Sequence, residues 1–145
     1  MPTRVDGSLL MHTYLKSVSA LMTATSNRVY GPPLGVPPGI SAPCKFVRFA
    51  NDGGPGHPDL PMASERFTFN CYGSTQIEAM EVARILVDAL NRLGRTEVTI
   101  SAGVKNLIRR VDLEMSPADL PEPETKWPRV VCAFRVVYGE RVVSW

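Results

Sequence analysis

Cysteine, histidine and a few loop aspartates are the residues of this chain with chemistry to offer. The cysteines are Cys44, Cys71 and Cys132, and the histidines are His12 and His57. A cysteine nucleophile needs a thiolate, which forms at neutral pH only beside a base or a cation. His12 lies among apolar neighbours on a predicted helix, the setting of a packing residue. His57 lies in a polar loop. Cys71 with His57 is the one cysteine–base pairing left, and nothing in the spacing favours it. An odd cysteine count at wide spacing makes neither a disulfide framework nor a CxxC metal site. All three cysteines fall on core-facing positions of predicted strands, where a free thiol serves as a small hydrophobe. Reduced cysteines of this kind imply a cytoplasmic origin.

The loop Asp52-Gly53-Gly54-Pro55-Gly56-His57-Pro58-Asp59 gathers the other polar groups. It lacks the Lys and Ser/Thr of a phosphate-binding loop. Asp52, His57 and Asp59 would make only an incomplete metal site. His57-Pro58-Asp59 also spells the tripeptide of J-domain co-chaperones, where it joins two helices of a small all-helical domain. Here it follows a glycine run and precedes a strand, so the match is read as chance. No catalytic centre, metal or cofactor is expected.

The elements that must position these residues are legible in the hydropathy pattern. Asp6 can cap a helix over residues 6–25, with Met11, Tyr14, Leu15, Val18, Leu21 and Met22 as its apolar stripe. Arg28-Val29-Tyr30 is a short extended piece. Residues 31–39, Gly-Pro-Pro-Leu-Gly-Val-Pro-Pro-Gly, form a stiff loop. A strand over 44–50 has apolar residues on both faces, so both faces should be covered. A loop over 51–62 follows. Residues 66–72 alternate, with Phe67, Phe69 and Cys71 on one face and Thr68 and Asn70 on the other. Thr75 and Glu78 then spell a capping box. Ala79, Val82, Ala83, Leu86, Leu90 and Leu93 recur at helical spacing until Gly94, a favourable C-cap.

Glu81, Arg84, Asp88 and Arg92 form a ladder of opposite charges on the polar side of this helix. Ile77, Met80 and Val87 widen its apolar arc beyond what one sheet covers, which points to a second packing surface. Strands follow over 96–101 and 105–115, turning near Ala102-Gly103. Leu107, Val111, Leu113 and Met115 are expected on the inner face of the second, and Arg110, Asp112 and Glu114 on the outer. A proline-rich loop covers 116–128. The last strand, 129–138, places Val130, Cys132, Phe134, Val136 and Tyr138 on one face.

The order α, β, β, α, β, β, β predicts an α+β fold. It is one mostly antiparallel sheet with two main helices on one face and long Pro/Gly-rich loops. At 145 residues the chain makes a single domain, residues 1–145. A hydrophobic share of 44% and a net charge of +2 offer no basic stripe for nucleic acid and no membrane span. Trp127, before the last strand, and Trp145, the final residue, are of the type that anchors interfaces. The residues alone therefore indicate an interaction protein, expected to be an oligomer.

The order and wording of these elements resemble one family. A first helix ends in Arg28-Val29-Tyr30 and a proline loop. A strand and an Asp-Gly-Gly loop lead to a strand ending Asn70-Cys71-Tyr72-Gly73. An alanine-rich helix follows (Ala79, Ala83, Ala89-Leu90), and the chain closes on Phe134-Arg135-Val136-Val137-Tyr138. The chain is similar over nearly its whole length to the tail terminator, or tail-completion, proteins of long-tailed bacteriophages. That resemblance implies a virion protein assembling into a hexameric ring. The ring would cap the head-proximal end of the tail tube and meet the neck or connector proteins. DNA would cross its lumen unread, and no catalytic residues would be carried over. The contacts are expected on the 51–62 and 116–128 loops, with Asp52, His57, Asp59, Met80, Trp127 and Trp145 as candidate interaction residues. The 31–39 segment is long for the family. The alternatives are a head–tail connector or head-closure protein of the neck, a small cytoplasmic cysteine-dependent enzyme using Cys71, and an adaptor using His57-Pro58-Asp59.

Overall fold

The computed structural model describes residues 7–32, 36–53, 62–91, 93, 96–101, 104–123, 125–139 and 143–144. In chain order these are α1 (Gly7–Lys16), α2 (Ser19–Thr25), β1 (Val29–Tyr30), β2 (Phe46–Gly53), β3 (Met62–Tyr72), α3 (Gln76–Asn91), β4 (Thr96–Ser101), β5 (Val104–Asp119), β6 (Arg129–Gly139) and β7 (Val143–Ser144). The strands form one sheet in the order β1-β2-β3-β6-β5-β4, with β7 also on β5. Among the described residues only β1 against β2 is parallel; the other pairs are antiparallel. The fold is α+β, as its hydropathy pattern predicts.

Alternation builds the core. Phe67, Phe69 and Cys71 of β3 face the same way as Val130, Cys132, Phe134, Val136 and Tyr138 of β6, and all are buried. Val47 and Phe49 of β2 join them, with Phe49 and Phe69 ring centroids 5.8 Å apart and Phe69 edge-on to Phe134 at 6.0 Å. The helices cover this face. The stripe of α3, Ala79, Val82, Ala83, Leu86 and Leu90, is buried there, as is Leu93 just beyond it. Each large side chain so buried contributes roughly 1.5–3 kcal/mol. Tyr14 Oη donates to Ala89 O at 2.7 Å and joins α1 to α3.

The first helix is two helices rather than one. Ser17 Oγ and Ser17 N both donate to Tyr14 O, and Val18 takes an extended conformation (φ −85, ψ 101) before α2 begins. A serine that offers the backbone a local alternative bond is a common place for a helix to break. The capping box is also rearranged. Glu78 N donates to Thr75 Oγ1 at 3.2 Å, but the Glu78 carboxylate accepts from Ser74 N, one residue before the expected donor. Asp6, Arg92, Gly94, the Ala102-Gly103 turn and the side chain of Leu107 lie outside the described residues.

Three strands run longer than their patterns predict, β3 starting at Met62 rather than at residue 66. β2 continues to Gly53, with Asp52 as an extra residue where the register shifts between Asn51 and Gly53. β5 continues through Ser116 and Pro117 to Asp119, so the third loop is confined to residues 120–128. β5 carries three register shifts against β6, each adding a residue to β5. One falls at Glu114, which turns Met115 to the outer face opposite Ala133, against the inner position its alternation predicts. Val111 and Leu113 keep the inner face, but Leu113 is 42% exposed where helix cover runs out.

Candidate functional site

Two of the three thiols, Cys71 and Cys132, are placed against catalysis. Cys71 and Cys132 are both fully buried on adjacent strands. The hydrogen bond with Cys132 and then burial push the Cys71 thiol well above its ordinary range, so it stays protonated. Cys44 departs from its expected place. It precedes β2 and is half-buried, lining an open cavity of about 470 Å³ with Arg28, Tyr30 and Ile40. The strand starts later because Arg28 takes the chain there: its Nε donates to Lys45 O, and Val47 N donates to Arg28 O. His12 is a packing residue, its Nε2 donating to Val29 O at 3.1 Å. Glu65 Oε1 is buried without a hydrogen-bond partner, near the Tyr138 hydroxyl and Gly7. Among the described residues no three His, Cys, Asp or Glu side chains gather to hold a metal ion. No helix of the described residues is long and apolar enough to cross a membrane.

The helix-free face of the sheet carries a row of charges across four strands. Asp52 of β2 accepts from Arg66 Nη1 at 2.9 Å and from the Thr68 hydroxyl on β3. Arg66 Nε reaches Glu114 of β5 at 3.3 Å, and the other Glu114 oxygen accepts from Arg135 Nε of β6 at 2.9 Å. Asp52 is presented by a bulge in which Gly53 (φ +78) donates its N–H to Asn51 Oδ1 at 2.7 Å. Glycine suits that left-handed position. These side chains are about one-third exposed, so each pair is a positioning contact worth roughly 0.2–1 kcal/mol.

At the other end of the same face, residues 120–123 and 125–128 are fastened down. Phe46 and Tyr72 stack with centroids 4.2 Å apart. Tyr72 Oη donates to Glu122 Oε2 at 2.9 Å, and Arg129 Nη1 lies 3.4 Å from the same oxygen. Burial, and then the bond to the Glu122 carboxylate, push the Tyr72 phenol up to about 12. The turn closes on itself through Lys126 N to Glu122 O at 2.8 Å and Glu122 N to Trp127 O at 3.0 Å. Gln76 Nε2 at the start of α3 donates to Asp119 Oδ1 and Arg129 O.

Of the residues named from sequence, Asp52 is on the charged row and Trp127 is half-buried in the fastened turn. Met80 is half-buried against the core, while Ile77 is 74% exposed. Glu81 turns to Lys45 at 3.8 Å rather than along its own helix. His57, Asp59 and Trp145 lie outside the described residues. Arg66, Glu114 and Arg135 do not stand out as a set in the sequence. The polar alternation of β3 hinted at their face, but their pairing depends on strand register, which no local pattern supplies.

No family model matches the chain, and no curated protein matches it. Among solved structures the fold is similar to that of a chain in the virion of a native gene transfer agent (GTA) particle. The TM-score is 0.61 and the identity 15%, over 96% of this chain and 94% of that one. Likeness at that identity and coverage establishes a shared fold from end to end.

Proposed function

We propose that this chain is a structural subunit of a phage-like virion. It assembles into a hexameric ring that caps the head-proximal end of the tail tube and joins it to the neck. The observation that carries this reading is the end-to-end likeness in fold to a chain of a gene transfer agent virion. The resemblance of the element order to tail terminators narrows the position within such a particle. Two features of the site agree with a structural role: the protonated, buried Cys71 and the row of mutually paired charges on the helix-free face.

A closed ring needs a heterologous contact whose rotation closes. Stopping a tube needs one surface that fits the tube end and another that does not repeat it. The bulge carrying Asp52 and the turn carrying Trp127 lie toward opposite ends of the helix-free face. They are the assigned contacts to tube and neighbour, with His57, Asp59, Met80 and Trp145 supplementing them. DNA crosses the lumen without being read. Gold-labelled antibody on purified particles tests the position. Label at the head–tail junction is expected; label along the tube, at its distal tip or over the head overturns the reading. Negative-stain images of the purified chain across a concentration series test the six-fold ring.

A further inference from the structure

We propose that neighbouring copies of this chain join edge to edge through their sheets. The flank of β5 over residues 109–119 pairs with the flank of β2 over residues 49–53 in the next copy. The proposal rests on the assembly reading above and names its seam.

The observation is an open strand. β5 runs from Val104 to Asp119, and β6 pairs along one side of it. On the other side β4 pairs only from Val104 to Ile108. Among the described residues no strand covers that side of 109–119. Exposure agrees: Leu113 is 42% exposed and the Arg110 side chain 72%. Pro117 sits within the bulge between Met115 and Ala118, where proline costs no ladder bond on the β6 side. Unpaired backbone N–H and C=O groups in a row take one kind of partner, another extended backbone.

The second observation is at the opposite edge of the same sheet. β1 pairs with β2 only at Val29 and Tyr30, against Val47 and Arg48. Beyond Arg48 the outer side of β2 carries no strand among the described residues. One molecule thus offers two different open flanks, one at each edge, the arrangement of a head-to-tail contact. Their charges match. Arg110, opposite Val137 and paired within its own strand to Asp112 at 2.8 Å, and Asp52, bonded to Arg66 and Thr68, both lie on the helix-free face. Bringing the flanks together places these opposite charges on one side of the seam. The bulges on β5 leave a short regular run, Arg110, Val111, Asp112 and Leu113, between irregular backbone on both sides. Such bulges guard an edge against indiscriminate pairing, so a short run selects its partner.

Disulfide trapping tests the seam. In a Cys44→Ser background, Cys71 and Cys132 are buried and silent. Ala50→Cys and Asp112→Cys place single thiols on the helix-free face of the two flanks. Mild oxidation of the two variants mixed together is expected to give a crosslinked dimer that neither variant gives alone. A chain carrying both substitutions is expected to give a ladder, and Arg110→Asp to lose it. No mixed dimer, or a dominant dimer of Asp112→Cys with itself, overturns the proposal. As a check on the unaltered chain, amide exchange within 110–113 is expected to slow as protein concentration rises; unchanged exchange also overturns it. Six-fold rings without the 50–112 crosslink would leave the ring reading standing and end the seam. A ladder whose members never close would do the reverse.

Discussion

Gly73 joins β3 to α3, and its replacement by alanine tests the tight strand-to-helix connection. A Cβ there would lie 2.5 Å from Ala79 N, 2.7 Å from Glu78 Cβ and 2.8 Å from the Glu78 carbonyl carbon. These are backbone and near-backbone atoms, so no side-chain tip can swing aside. Restoring ordinary contact moves the first turn of α3 by about 0.9 Å against a packed core, an overpacking cost of roughly 1–3 kcal/mol. The same retreat pulls Glu78 N from Thr75 Oγ1, now at 3.2 Å, and such a cap is worth roughly 0.5–2 kcal/mol. Against this, alanine narrows the unfolded ensemble and returns roughly 0.4–1 kcal/mol. The expected net loss is about 2 kcal/mol, read as a lower urea midpoint at unchanged slope. Thr75→Ala supplies the internal control. If the cap breaks as the helix retreats, the double variant loses less than the two singles added. A Gly73→Ala midpoint at or above wild type refutes the close-approach argument.

Tyr72 governs the alkaline limit. Folding raises it to about 12, so between pH 10 and 12 the folded chain holds a proton that the unfolded chain releases. Its share of stability, on the order of 2 kcal/mol, is intact below pH 10 and lost as pH rises through 12. Tyr72→Phe should flatten that limb in urea melts taken across pH. Glu122→Ala removes the anchor shared by Tyr72 and Arg129, and amide exchange within 120–128 should quicken while α3 keeps its protection. Arg66→Ala cuts pairs to Asp52 and Glu114, both partly exposed. It should cost less than about 2 kcal/mol, with a difference that shrinks in high salt. A thiol reagent should label Cys44 alone in the native chain and reach Cys71 and Cys132 only on unfolding, with mass spectrometry counting the adducts.

How much of this was legible depended on whether a local period carried the information. The α3 stripe and the alternation of β3 and β6 did, because one buried face imposes its period on the residues beneath it. The break at Ser17 was hidden because the apolar stripe runs straight through it: Val18 still falls three residues after Leu15. Met115 was placed on the wrong face because alternation assumes one residue per step, and the bulge at Glu114 inserts another. Pro117 read as a strand stop. It is instead part of the strand, within the bulge between Met115 and Ala118. The charged row was invisible as a unit because Asp52, Arg66, Glu114 and Arg135 meet only once four strands are in register.

The fastened turn changes what can control assembly. A loop that orders on docking delays association by its entropy cost, but residues 120–123 and 125–128 are already fixed by Tyr72, Arg129 and the turn's own backbone bonds. The Arg129–Glu122 pair is 16% and 13% exposed, shielded enough that breaking it would leave a charge poorly solvated. A surface presented this way binds with little left to order, which favours affinity over delay. Delay must then come from elsewhere. In the proposed seam it would come from β5, where three bulges, a proline and alternating charges leave only four regular residues for a neighbour to read. A short, guarded edge pairs weakly with one copy. It pairs durably only when a second contact holds the copies in register, because the second contact then acts at high effective concentration. In the proposed assembly, the preformed turn and the guarded edge would together make association conditional on a template.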